Sequence, residues 1–532
     1  MVHRFTENED ALALPEGSSD LPAPPTSDAV EPGFRSTLRR LVKGRPTLSD
    51  VWLLLPPLGL LIVLNFTLIR PNDFWWHLRT GQIIFDTGVI PTTDLFSFTR
   101  AAQPWTNQGW LMQVILFLLY RAGGLPLIIF FHALTIVGGY VLVEAACLRS
   151  RSQRAAALAT LAAAAIGVAN WNVRPQSVSF LFFGLLLFVL ERHRTRGGKS
   201  IWVLPGLFAL WVNLHGGFIF GMGLLGIYGL AHVSENFIRR RASGKETFQG
   251  LTVVVASILA LSLNPGSPIG IVRYVLGFFR SDATQNLNIE FMPLSLRTLD
   301  GVCFFSLMAL FFLLMYRRPA TLPPYLLSAM FVFGFFALYS RRVAPWFGFV
   351  LAPAFAQLMT RNLASGKSST VRRQGKSIFN NLLLALLGFL VLLSLPWWRS
   401  HLPVPDGRRS YVALAETPIQ ATQELCRLSD DVRVFNDMGY GSYLIWACPQ
   451  APVFIDTRIE LYSEEMWQDY LLIINAQFGW EDALAKYGVN TIFARKDQEK
   501  VLVAAAKVSG QWQTLFEDEH AVLLRRVPPS TG

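Results

Sequence analysis

Charge is scarce in this chain. Asp, Glu, Lys and Arg make up 16% of its 532 residues, against 52% hydrophobic, where soluble domains carry about 25% charged residues. A large soluble core does not need one uncharged run after another. Runs near the ~20-residue spanning length instead mark a polytopic membrane protein. Cysteine is scarce too. Cys147, Cys303, Cys426 and Cys448 show no metal-ligand spacing. The first two lie in or beside apolar runs and read as inert. The other two lie in a polar tail, where they are either a disulfide or two free thiols. No secretory leader precedes the first apolar run, so 51–69 is expected to be a retained helix. No internal repeat is visible, unlike the matched halves common in transporters. The net charge of +11 is no nucleic-acid footprint, because the basic residues form short clusters between apolar runs, as cytoplasmic loops do.

Eleven spans are expected, at 51–69, 124–147, 155–170, 177–190, 201–214, 217–236, 250–264, 301–316, 322–339, 344–361 and 379–397. Residues 1–48, rich in Pro, Ser, Glu and Ala, read as a disordered arm. Arg35, Arg39, Arg40, Lys43 and Arg45 place that arm in the cytoplasm. The clusters around Arg149, Arg192, Arg239, Arg317 and Lys367 then fall inside as well, as the positive-inside rule requires. The pair Arg341/Arg342 breaks it by falling outside. This parity holds if 110–124, interrupted by Gln113, lies at the interface or half-inserts rather than crossing. The stretch 268–279 is ambiguous in the same way.

An odd number of crossings puts 398–532 outside. That tail carries 13 Lys+Arg against 18 Asp+Glu. Strands are expected at 432–436, 451–456 and 490–494, helices at 479–488 and 500–508, and closing strands in WQTLF and AVLLRR. The result is a small α/β domain. Asp437, Asp456, Arg458 and Tyr462 cluster there in sequence, as strand-end and loop residues, and no nucleophile–base–acid set is evident.

The segment between the first two spans, 70–109, is about 40 residues long, too long for an idle connection. It carries Asp73, His77, Arg79, Asp86 and Asp94 among many aromatics. Asp73, next to FWW, is the strongest candidate for a general base, since a carboxylate in a poorly hydrated site can have its pKa raised toward neutrality. The alternative is a carboxylate capping a helix end. His77 shares a helical face with Asp73 if the piece is helical, which allows a hydrogen bond or a shared metal. Asp94 is a second acid, a metal ligand, or an Asx turn after Pro91. Trp76 and its neighbours either stack on a sugar or form an interfacial aromatic belt.

Further polar residues sit at the outside ends of later spans: Arg174 and Gln176 in NWNVRPQ, Asn213 and His215 in WVNLHGG, Asn264 in LNPGSP, Glu290 in NIEFMP, and Arg341/Arg342. Polar groups at membrane depth are costly and face protein-lined cavities, so their one-sidedness predicts a single polar site at the outer face. Guanidinium binds phosphate in bidentate fashion. Arg341, Arg342 and Arg174 are therefore the expected binders of a lipid phosphate or pyrophosphate.

The run PNDFWWHLRTGQII, then GVIPTTDLFSF and PWTNQGWL, resembles bacterial polytopic proteins of the GT-C glycosyltransferase superfamily, distantly like protein O-mannosyltransferases and lipid A aminoarabinose transferases. The resemblance continues through WNVRPQ, WVNLHGGFIFG, LNPGSP and NIEFMP. VFNDMGYGSYLIW and PVFIDTRIELY resemble the extracytoplasmic domain of one bacterial branch. It implies an inner-membrane enzyme that moves a sugar from a polyprenyl-phosphate donor to an acceptor hydroxyl on a glycan, lipid or protein. Asp73 would be the base, and Arg341 or Arg342 would steady the leaving phosphate. Relatives often carry two adjacent acids in this loop, whereas here Phe74 follows Asp73. A divalent metal serves some members, and the resemblance leaves its use here open. Two other classes stay in view: a transporter or flippase of a lipid-linked saccharide, and a non-catalytic scaffold whose tail is the working part.

Overall fold

The computed structural model describes residues 33–239, 244–266, 289–363, 377–428 and 431–527, with residues 270, 271 and 274. Each of the eleven apolar stretches is helical. By length and composition, four described helices can cross a membrane unaided, in Trp110–Ser150, Phe218–Glu235, Leu299–Arg317 and Arg341–Leu363, and five others are shorter and apolar. The helix Trp110–Cys147 breaks at Gly123 and Gly124, the latter at φ 64°, a conformation open to glycine and strained for other residues. The break separates the Gln113 segment from the span at 124–147, where the sequence changes character. Most of the ambiguous stretch 268–279 lies outside the described residues.

Helices Trp110–Cys147 and Ser177–Arg196 meet at glycines. A Cβ on Gly139 would lie 2.4 Å from the carbonyl oxygen of Phe180, and one on Gly184 would lie 2.5 Å from that of Gly139. Without a hydrophobic force between helices in lipid, such close backbone contact supplies the packing. The arm is ordered sooner than expected, with a helix at Phe34–Val42. Buried Asp50 accounts for this. It closes a capping box with Thr47, accepts from Thr37 Oγ1 at 2.5 Å and pairs with Arg40.

The tail holds a mixed four-stranded sheet of order β1-β2-β4-β3, comprising β1 (Val434–Asn436), β2 (Thr491–Arg495), β3 (Trp512–Glu517) and β4 (Ala521–Arg526). Strands β1 and β2 run parallel, with Val434 opposite Thr491, and the remaining pairs are antiparallel. The expected strand at 451–456 is reduced to bridges from Val453 to Val434 and Ser97. A side chain takes the ladder's place there. Asn436 accepts from Phe454 N at 2.8 Å and donates to Ile455 O at 2.8 Å. Helices at Ile419–Cys426, Met438–Ala447 and Glu464–Ile474 join the two expected. Cys426 and Cys448 pair as a disulfide, their Cα atoms 5.6 Å apart.

The first loop is the seam between bundle and tail. It is not irregular throughout, because Phe74–Thr87 is a helix that ends on Gly88 in the left-handed region. Its two faces serve different cores. Phe74, Trp75 and Leu78 are buried in the bundle core, and Trp76 is buried in the tail core with Phe96 and Trp105. Ile69 bridges to Val412, and Ser97 to Val453. Arg399, 1% exposed, donates to Ser410 O and Thr67 O and ties the start of the tail to the first span.

Candidate functional site

Asp73 stands at the head of the loop helix. Its carboxylate makes no helix-cap hydrogen bond, so the capping alternative does not describe it. It turns to Arg174, with Nη1 3.4 Å from Oδ2. Arg174 sits in the turn before helix Ser177–Arg196, and its other nitrogen, Nη2, pairs with Glu290. Arg342 lies beyond, its Nη1 3.9 Å from Glu290 Oε2 and its guanidinium over the Phe291 ring. Four segments far apart in sequence thus meet as Asp73, Arg174, Glu290 and Arg342. Opposite charges alternate along that row, which offsets the cost of holding each away from bulk water.

The expected Asp73–His77 hydrogen bond is absent among the described residues. His77 rests against the Trp76 ring, and its Nδ1 faces Gln113 Nε2 at 3.2 Å. Gln113, fully buried, exchanges two hydrogen bonds with Asn107. In this orientation the Gln113 amide donates to His77 Nδ1, which places the imidazole proton on Nε2. Burial and the nearby Arg174 and Arg458 hold the imidazole pKa well below its ordinary value. The interruption at Gln113, read from sequence as a mark of a non-crossing helix, orients a site histidine.

His215 follows the same logic. Gly217 N donates to its Nδ1 at 2.9 Å, and a backbone N–H can only donate, so Nε2 carries the proton. Ser179 Oγ, 2.8 Å from Nδ1, receives Trp211 Nε1 at 2.8 Å. Burial, then Arg342 and Arg174, keep His215 neutral as well.

Other expected members have different partners. Arg341 meets Asp300 with a two-pronged pair, Nε to Oδ2 at 2.8 Å and Nη2 to Oδ1 at 2.9 Å. The Nε–Nη2 edge of its guanidinium is given to Asp300. Asp94 is 2% exposed. It forms the Asx turn weighed as an alternative, accepting from Ser97 N at 3.0 Å and Phe96 N at 3.3 Å. It also pairs at 2.7 Å with Arg458 of the tail, which pairs with Asp456 at 2.6 Å. That guanidinium lies over the rings of Trp76, Phe96 and Trp105. Trp76 donates its indole N–H to Thr457 Oγ1 at 3.2 Å and serves the seam. Asn213 accepts from Trp110 Nε1 at 2.8 Å and Asn264 Nδ2 at 3.2 Å, so it braces the loop's far end. Gln176 is buried, and its Oε1 has no partner among the described residues.

Sequence reasoning passed over Glu460, on the 3₁₀ turn Ile459–Leu461. Burial pushes its carboxyl up to about 7, and Asp73 and Arg458 are among the charges it feels. Its signal was present in PVFIDTRIELY, beside the charged residues that were singled out. Among the described residues no three His, Cys, Asp or Glu side chains converge as a metal ion requires. The acids here are matched by Arg174, and no step below runs through a metal.

No protein-family model matches the sequence, and no curated protein matches it significantly. Solved structures do. An oligosaccharyltransferase, AglB of Archaeoglobus fulgidus, described in complex with an inhibitory peptide and a dolichol-phosphate, aligns over 85% of this chain and 70% of its own. The TM-score is 0.51 and the sequence identity 14%. ArnT of Cupriavidus metallidurans bound to undecaprenyl phosphate aligns over 91% of this chain and 98% of its own, at TM-score 0.47 and 13% identity. The overlay with AglB shows a common fold, the GT-C fold that the sequence resembles.

Proposed function

We propose that the chain is a membrane glycosyltransferase that moves a sugar from a polyprenyl-phosphate donor to an acceptor hydroxyl at the outer face of the inner membrane. The observation that carries this is the row Asp73–Arg174–Glu290–Arg342, which puts a candidate base and phosphate-binding cations in one place on a GT-C fold. The polyprenyl phosphate named in AglB's complex supports the same donor class.

Asp73 accepts the proton of the acceptor hydroxyl as its oxygen attacks the anomeric carbon. The bond from that carbon to the lipid phosphate breaks, and the phosphate leaves with the electron pair. Arg342 and Arg174 stabilise its charge, most strongly as it develops. Arg341 is held by Asp300 and supports the neighbouring backbone. The Nε2–H groups of His77 and His215 are neutral donors for sugar oxygens. Asp94 joins the tail to the loop. The acceptor is a glycan, a lipid or a protein.

In the proposed topology eleven helices cross, with the N-terminus cytoplasmic and 398–532 extracytoplasmic. The Cys426–Cys448 disulfide is consistent with an oxidising compartment. The test is turnover by the full-length chain in nanodiscs, offered undecaprenyl-phosphate-linked sugars. The expected products are undecaprenyl phosphate and a transferred or hydrolysed sugar. No turnover across hexose and pentose donors, with transbilayer movement of one of them, would favour the flippase reading.

A further inference from the structure

Glu460 is placed by everything around it. Thr457 Oγ1 receives the Trp76 indole N–H, three residues past Asp73. Arg458 is clamped by Asp456 and Asp94, with no exposure of its side chain. Ile459 and Leu461 are buried in the tail core, and Ile459 O accepts from Trp467 Nε1 at 3.3 Å. The backbone on both sides is therefore pinned, and Glu460 is half-buried between buried neighbours.

The charged and titratable groups facing it are Arg458 and Asp456 on its own segment, Asp73 on the loop, and Tyr274, which also feels Arg342. Burial raises the Glu460 carboxyl, and Arg458, which is itself clamped by two carboxylates, opposes that rise without cancelling it. Asp73 and Asp456 add like charge. Among the described residues no other side chain hydrogen-bonds to the Glu460 carboxyl. Burial, with the like charge of Asp73 and Asp456 adding to it, raises the pKa of this carboxyl to about 7, so it holds its proton on the acid side of that value. A protonated carboxyl donates one O–H.

We propose that Glu460 is a substrate-binding residue through which the tail domain completes the site, its carboxylic acid donating a hydrogen bond to a hydroxyl oxygen of the sugar or acceptor held against Asp73. This rests on the transferase reading above. Asp73 is the acid that is paired with a guanidinium, and Glu460 is the one with no ion-pair partner among the described residues. Two carboxyl groups in unlike environments divide the roles of proton acceptor and hydrogen-bond donor.

The experiment follows binding and transfer of undecaprenyl-phosphate-linked sugars by the full-length chain between about pH 6 and about pH 9. The donor's phosphodiester does not titrate in that range. Wild-type transfer should fall on the alkaline side of about pH 7. E460Q keeps a donor that cannot ionise. It should lose that alkaline limb while staying within about tenfold of wild type, and E460A should fall about 10- to 100-fold. Weaker donor binding in E460A assigns the partner to the transferred sugar, and a loss confined to transfer assigns it to the acceptor. E460Q as inactive as D73N would make Glu460 a base and overturn the proposal. So would an alkaline limb that survives in E460Q, or full activity in a folded E460A. Wild type that binds the lipid-linked sugar without turning it over overturns the transferase reading, and the pH dependence of binding in E460Q against wild type then judges Glu460 separately.

Discussion

Oδ2 of Asp73 lies 3.4 Å from Nη1 of Arg174, and the same guanidinium pairs with Glu290. The base candidate is thus held by a group that spans the first loop and the later helix ends. Asp73 is 28% exposed in its side chain and Arg174 is 11%, so the acid stays reachable while its partner is enclosed.

The two adjacent arginines should separate by readout. R342A removes a cation facing Glu290 and should raise the KM for a lipid-phosphate donor about tenfold, with little change in Tm. R341A strands Asp300, 2% exposed, and should lower stability by about 3 kcal/mol. Equal KM effects with unchanged Tm in both variants would contradict this division.

Asp94 should behave as a joint rather than a second acid. D94N leaves Arg458 with Asp456 alone in a fully buried setting. Thermal unfolding should show a loss of about 3 kcal/mol, and limited proteolysis should cut the tail free sooner. A D94N protein that is as stable as wild type and inactive would return Asp94 to the chemistry.

Gly81 faces the Gln113 backbone so closely that an added Cβ would lie 2.0 Å from its carbonyl oxygen. G81A should destabilise by about 1–3 kcal/mol and disturb the Gln113–His77 contact. Thermal unfolding reads the first effect and histidine NMR shifts read the second. An unchanged Tm would show that the loop helix is not seated there.

The tail should lose stability as pH rises from acid to neutral. Burial raises the carboxyl pKa of Glu460 from 4.5 to about 7, and Asp437 and Glu499 are raised by burial as well. For such groups the folded state binds protons more tightly than the unfolded chain. Their stabilisation is present below the ordinary carboxylate range and lost as pH climbs through the raised value. The Tm of the full-length chain should be lower at about pH 8 than at about pH 5, with a smaller difference in E460Q. An identical difference in both would remove Glu460 from the effect.

Much of this was legible in the sequence because local pattern carries it. Apolar runs gave helices, the run 110–124 was set apart from the span that follows it, and β-branched and aromatic runs gave β1, β2 and the closing hairpin. Counting helix ends put Asp73, Arg174, Glu290 and Arg342 in a larger set of polar residues expected on one side, and the structure joins these four in a row. What was missed depends on partners distant in sequence. Arg458 claims Asp94 from the tail, Gln113 takes His77 from Asp73, and Asn436 replaces the ladder at 451–456. Glu460 looked like one acid among several until the fold brought it beside the first loop.

The most direct measurement is donor turnover by D73N. Full-length D73N, with wild-type Tm and unchanged binding of an undecaprenyl-phosphate-linked sugar, should transfer that sugar about 10²- to 10⁴-fold more slowly. Transfer at the wild-type rate in that folded, donor-bound variant would contradict the assignment of Asp73 as the base.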